Sequence, residues 1–155
     1  MRRGALVLLA AALVAPGRPG PPVVDLAHAT WTRNGIAPAS APVVGEAPAP
    51  ATVELVFDAT GVRWACEFPT DEARMRRLSL AWRGAPDGVL FELVLDGARL
   101  SPPRDGWRPS PRELHSDLGA VWLGRGAHLL EFVAREKPPD GKGALRLAAL
   151  ELGEP

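Results

Sequence analysis

The sequence predicts an all-β protein, an antiparallel β-sandwich, and three observations carry that prediction. Short apolar segments recur along the chain with turn residues between them. Gly and Pro number 16 and 17 in 155 residues, too many for long uninterrupted helices and natural for strands joined by turns. Several segments alternate apolar with polar residues, the period of a strand with one buried face. The length suits one ordinary domain. A hydrophobic content of 46% against 23% charged residues excludes wholesale disorder. Lys and Arg total 18, as do Asp and Glu, and this balance argues against nucleic-acid binding through a basic face.

The first element is an address. Arg2 and Arg3 precede an apolar run over residues 5–15, followed by small residues and prolines, the order of a secretory signal peptide. The run falls short of the about 20 apolar residues that a membrane-spanning helix needs. Residues 1–17 are therefore read as a signal peptide cut after Gly17, where Ala15 and Gly17 are the small residues, with a cut after Ala29 as the alternative. Residues 18–155 are expected to form a single sandwich domain, secreted or periplasmic, with no membrane insertion after cleavage. Cys66 is the sole cysteine, so no intrachain disulfide can form. It falls in phase with Val62, Trp64 and Phe68, which reads as a small buried hydrophobe and not as a nucleophile or metal ligand.

The strands follow in order. Residues 23–27 open the sandwich. Residues from about 30 to 50 are Ala/Pro-rich without an apolar period and are read as a surface loop. Apolar strands are expected over 53–57, 62–68, 78–82, 89–95, 118–123, 127–134 and 144–152. Leu78, Leu80 and Trp82 share one face, with Ser79 and Ala81 on the other. The run 89–95 reaches Asp96-Gly97, a dipeptide that accepts the positive φ of a two-residue hairpin, and a short strand over 98–100 returns. Asp87-Gly88, Asp105-Gly106 and Asp140-Gly141 mark further turns. Residues 71–77 carry good helix propensity and are read as a loop with at most one helical turn.

Residues 118–152 are the most specific part. A strand ends at Gly126-Ala127-His128, an apolar strand returns, and Leu145 to Leu152 closes the sheet. Together with the Asp96-Gly97 hairpin, this order resembles the galactose-binding-like jelly rolls. That is the fold of many carbohydrate-binding modules and of β-sandwich domains attached to secreted glycosidases. The resemblance covers the whole of 18–155 in order of elements and implies a non-catalytic role with a glycan or polysaccharide as ligand. Members that hold a structural calcium ion place carboxylates in their first and last strands. Here Ala148 and Ala149 stand in the last strand and Asp25 alone in the first, so no metal or cofactor is expected.

Sugar recognition stacks a pyranose face on an aromatic ring with polar side chains at the rim. The chain contains no Tyr, which leaves its five Trp and four Phe residues. Trp64 and Trp82 are in phase with core positions. Trp107 stands in the turn-rich segment 101–109 beside Arg104, Asp105 and Arg108, outside any alternating pattern. Trp107, Asp105 and Arg108 are the preferred ligand cluster, with Trp31 as a second aromatic; a Trp107 folded back as a lid on the sandwich edge is the alternative. Trp122 is out of phase with Val121 and Leu123 and belongs on an outer face, exposed or covered by the Ala/Pro-rich loop. His28, His115 and His128 show no metal-ligand spacing. His128 shares phase with Leu130 and Phe132 and is read as an inward, hydrogen-bonded residue. Ser110, His115 and Asp117 lie too close in sequence to make a triad, and no Gly-x-Ser-x-Gly elbow occurs. No pair of carboxylates suited to glycoside cleavage can be located, so no enzyme activity is expected. The rival role is an accessory or structural sandwich that engages a cell-envelope protein without sugar.

Overall fold

The computed structural model describes residues 20–45 and 50–155. The proposed signal peptide lies outside them. Two antiparallel sheets pack face to face, and no helix forms among the described residues.

The strands of one sheet are β1 (Val23–Asp25), β3 (Val43–Gly45), β4 (Thr52–Phe57), β6 (Arg74–Gly84), β10 (Arg112–Leu123) and β12 (Gly143–Gly153). They follow the order β10-β6-β12-β4-β3, with β1 beside the second half of β12. The other sheet contains β2 (Trp31–Arg33), β5 (Arg63–Thr70), β7 (Leu90–Leu95), β8 (Ala98–Arg99), β9 (Arg104–Asp105) and β11 (Gly126–Glu136). Its order is β2-β5-β11-β7-β8, and β9 also pairs with β7. This is the antiparallel β-sandwich that the pattern of apolar segments predicts, in the jelly-roll form that the resemblance implies.

Alternation within the strands fills the space between the sheets. Leu55 and Phe57, Leu78 and Leu80, Phe91 and Leu93, Leu130 and Phe132, and Leu147 and Leu150 are all fully buried. Each such side chain contributes about 1.5–3 kcal/mol relative to exposure. Trp31, Phe132, Phe91 and Trp82 form a row of rings across the core, with successive centroids 5.9, 6.2 and 5.2 Å apart. Cys66 is buried in this core, and burial pushes its thiol pKa up to about 12, which keeps it protonated and inert.

Three stretches differ from expectation. Residues 30–50 are not all loop: Trp31–Arg33 and Val43–Gly45 pair as β2 and β3. Residues 74–77 are strand, because β6 lies between β10 and β12 and their ladders outweigh local helix propensity. Residues 112–117, which precede the strand expected over 118–123, form the first half of edge strand β10.

The sandwich has two distinct ends. The turns at 71–73, 96–97 and 124–125 gather at one end, together with residues 20–22 and 154–155. Segments 34–42, 58–62, 85–89, 106–111 and 137–142 gather at the other.

Candidate functional site

The first end is tied shut by His128. Its ring reaches Asp96 Oδ2 through Nδ1 at 2.7 Å, and through Nε2 it reaches the Gly124 carbonyl at 2.7 Å and Thr70 Oγ1 at 3.0 Å. Thr70 donates its own hydroxyl proton to Gly124 O at 2.5 Å. Both ring nitrogens thus face acceptors, which favours the doubly protonated ring. Burial opposes the charge, but the bonds from Asp96 and Gly124 and the field of Asp96 outweigh it, and the His128 pKa rises. Burial would likewise raise Asp96, yet the bonds from His128 and the Leu129 N–H hold it below its ordinary range. The Asp–His–Thr order mimics a catalytic triad. The Thr70 hydroxyl, however, gives its proton to the Gly124 carbonyl and not to the ring, so the cluster reads as a clamp on three turns, with His128 inward and hydrogen-bonded.

The other end is where an exposed aromatic stands. Trp107 is 52% exposed. Its backbone is anything but loose. Ala85 N donates to Gly106 O at 3.1 Å, Gly106 N to Val89 O at 2.8 Å and Arg108 N to Ala85 O at 3.0 Å. These bonds bind the Trp107 segment to residues 85–89. That segment is held in turn by Asp87, whose carboxylate takes both terminal nitrogens of Arg146 at 2.8 and 3.0 Å. The Arg146 bonds pull the Asp87 carboxyl below its ordinary range against the opposing effect of burial. Trp107 and Asp105 line an open groove of about 260 Å³ with Leu90, Glu136, Lys137 and Pro138. Asp105 Oδ1 accepts the Trp107 N–H at 2.9 Å, an Asx turn that fixes the approach to the ring. Lys137 Nζ donates to the Pro138 and Gly141 carbonyls at 3.4 and 3.0 Å, which orders the opposite wall.

The four residues singled out from the sequence separate into two groups. Trp107 and Asp105 come together at the groove. Arg108 is half-buried: Nη1 donates to the Asp105 and Trp107 carbonyls at 3.1 and 2.5 Å, and Cζ lies 6.0 Å from the Trp82 ring centroid. Its guanidinium caps the aromatic row and is committed to the fold. Trp31 is corrected from second platform to core residue. It is 4% exposed, donates Nε1–H to the Leu26 carbonyl at 3.2 Å and packs on Phe132. Its ring therefore has no face free for stacking. Glu136, Lys137 and Pro138 are groove residues that sequence reasoning missed, although the following Asp140-Gly141 turn marks them as loop-proximal.

Trp122 proves exposed, at 64%, on the outer face of edge strand β10, and its register partner on β6 is Met75, itself 40% exposed. Among the described residues no three His, Cys, Asp or Glu side chains converge as a metal centre would require. The first and last strands offer few oxygen ligands for the calcium ion that the resemblance raises. Asp25 pairs in register with Ala149, which offers no side-chain oxygen, and the Asp25 carboxylate is engaged by His28 Nδ1 at 2.8 Å. Among the described residues no helix is long and apolar enough to cross a membrane.

No protein-family profile matches the sequence, and a search of curated proteins finds no match. Solved structures do match. A Paenibacillus xanthan lyase superposes with a TM-score of 0.71 at 14% identity, covering 88% of this chain and 13% of the lyase. A family 35 carbohydrate-binding module from an environmental isolate gives 0.57 at 10% identity, covering 85% of this chain and 92% of the module. The CBM36-1 domain of a multidomain xylanase from the hindgut metagenome of Trinervitermes trinervoides gives 0.53 at 13% identity, covering 86% and 97%. The chain thus spans a small part of the lyase and nearly the full length of both modules. Its fold is the galactose-binding-like jelly roll that it shares with carbohydrate-binding modules of families 35 and 36.

Proposed function

We propose that this chain is an exported, non-catalytic glycan-binding domain whose ligand stacks on Trp107. The observation that carries the reading is a half-exposed tryptophan on a backbone-clamped segment beside an open groove, at the end of the sandwich where the loops gather. A rigid aromatic platform suits a sugar because little ordering is needed when the ring is already placed. Asp105 and Glu136 supply acceptors for hydroxyl groups along the rim, and Lys137 supplies a positive charge held by backbone carbonyls. The fold of the two full-length module matches supports the same ligand class. Binding in so shallow a groove is weak, and no reacting group is required. Export, to the medium or periplasm, follows from the signal-peptide reading of residues 1–17.

Affinity electrophoresis of the purified protein through a panel of plant and bacterial polysaccharides tests this. The wild type is retarded by at least one polymer and Trp107→Ala migrates freely with an unchanged melting temperature. Equal retardation of the two proteins rejects the assignment.

One observation favours a second reading. The exposed Trp122 and Met75 pair makes an apolar patch on the opposite part of the molecule, of the kind a cell-envelope protein partner would cover. Under that reading the domain is an accessory sandwich, and Trp122→Ser, not Trp107→Ala, abolishes capture by envelope extract.

A further inference from the structure

Among the described residues β10 pairs with β6 alone, through a register that includes Ser116↔Leu80, Gly119↔Leu78, Val121↔Arg76 and Leu123↔Arg74. The direction of the backbone bonds along β6 follows from its other neighbour, β12. Leu152 N donates to the Pro22 carbonyl on the far side of β12, so Glu151 and Gly153 turn their main chain to β6, at Ser79 and Arg77. Arg74, Arg76, Leu78 and Leu80 alternate with these and bond to β10. The β10 residues that remain, Asp117, Ala120 and Trp122, point their N–H and C=O groups at the open edge.

Half of that edge is protected. Arg104 Nη2 donates to the Asp117 carbonyl at 2.7 Å, a bulge interrupts the ladder between Asp117 and Gly119, and Glu113, His115 and Asp117 present polar side chains. Bulges and charges keep an edge from pairing with another chain. Residues 119–123, Gly-Ala-Val-Trp-Leu, carry no charge and no proline. No described residue takes the outward main-chain groups of Ala120 and Trp122. Val121 packs on the core yet stays half-buried, because no strand lies beyond it.

This segment is complementary to itself. Laid antiparallel about Val121, it sets Val121 opposite the partner's Val121 and Ala120 opposite the partner's Trp122. The valines form a pair without mutual main-chain bonds, the kind that approaches most closely, with Cα atoms about 4.5 Å apart. Each covers the open side of the other. Ala120 and the partner's Trp122 exchange both N–H···O bonds, and symmetry makes this pair twice. A methyl group thus faces an indole, which gives the ring room, and the exposed Arg77 beyond Ala120 offers a cation to its face. Arg125, exposed and without an ion pair among the described residues, comes level with the partner's Asp117.

We infer that residues 119–123 of β10 are a homodimer interface, at which two copies of this chain join their sheets across a two-fold axis at Val121. The contact is one short strand, so the dimer is reversible and depends on concentration. The axis reverses the strand direction and turns the two loop ends opposite ways. On the glycan-binding reading, the two Trp107 platforms then engage separate polymer chains.

Sedimentation equilibrium of the purified protein from micromolar to millimolar concentration tests it. The wild type passes from monomer to dimer mass across that range. Ala120→Pro removes an outward N–H without taking a bond from β6, and Trp122→Lys puts a charge on the edge. Each raises the dissociation constant about tenfold or more, the scale on which an interface tryptophan acts. Trp122 is exposed, so Trp122→Lys keeps the fold even where a proline beside the bulge disturbs it. Cysteines read the register. Val121→Cys forms an intermolecular disulfide under mild oxidation and Ala120→Cys does not, because its two copies stand two residues out of register. The buried Cys66 takes no part. A single monomer mass throughout, a dimer that Trp122→Lys leaves intact, or cross-linking of Ala120→Cys in preference to Val121→Cys overturns the interface. A monomeric wild type that captures an envelope protein through Trp122 also overturns it and gives the patch to that partner. Trp107→Ala dimerises as the wild type does, so loss of the glycan reading leaves the interface standing.

Discussion

A Cβ placed on Gly88 would lie 2.0 Å from the carbonyl oxygen of Gly106 and 2.6 Å from the amide nitrogen of Trp107. The two glycines let the backbones of segments 85–89 and 106–111 touch, and the exposed indole inherits its position from that contact. Gly88→Ala must push the segments apart, because the obstructing atoms are backbone and have no rotamer to escape into. The expected cost is about 1–3 kcal/mol of stability, as for other overpacked sites. Glycan retention should fall although no ligand-facing side chain has changed. Thermal melting and affinity electrophoresis on the same preparation check both effects.

Trp31 and Trp107 should respond oppositely to truncation. Trp31→Ala removes a buried ring with a satisfied N–H and should cost about 3–5 kcal/mol, lowering the denaturant midpoint sharply. Trp107→Ala removes a half-exposed ring and should stay within about 0.5 kcal/mol of wild type. Chemical denaturation separates the two. A large loss with Trp107→Ala would mean that the ring is part of the packing.

The His128–Asp96 pair sets a pH dependence. The His128 pKa is raised on folding, so its contribution is complete below the unfolded value of about 6.5 and is lost as pH rises through the folded value. Asp96 is lowered, so its contribution is complete above the unfolded value of about 3.9 and is lost as pH falls through the folded value. The pair therefore stabilises most between those limits. Asp96→Asn keeps an oxygen for the Leu129 N–H and suits the positive φ of 49° at this position, but it removes the charge. The His128 pKa, followed by NMR of the ring protons, should drop in that variant, and stability should vary less between pH 6 and 9.

Much of the sandwich is legible in the sequence because burial on one face writes a period of two into the chain. Leu78, Leu80 and Trp82, alternating with Ser79 and Ala81, show it plainly. Edge strand β10 hides its first half, since only Leu114 and Ser116 point inward over residues 112–117, and Ser116 is there to accept the Trp82 indole N–H at 2.9 Å. Strand β2 was marked by a signal that went unread. Asn34 and Gly35 both have positive φ, at 51° and 82°, in the same turn chemistry as Asp96-Gly97, and they identify Trp31–Arg33 as a strand ahead of a tight turn. The site is half legible. An aromatic outside any alternating pattern locates Trp107, but no local pattern tells that the neighbouring Arg108 turns inward to Trp82, or that the segment after β11 supplies the opposite wall.

Strand β1 lies against the second half of β12, and Leu152 N donates to the Pro22 carbonyl at 2.8 Å. Both tails of the described chain consequently leave side by side, on the side of the molecule remote from Trp107. Whatever is fused or anchored there, whether another polypeptide or a solid support, leaves the groove pointing outward. Correct presentation comes with the topology and asks nothing of the tether.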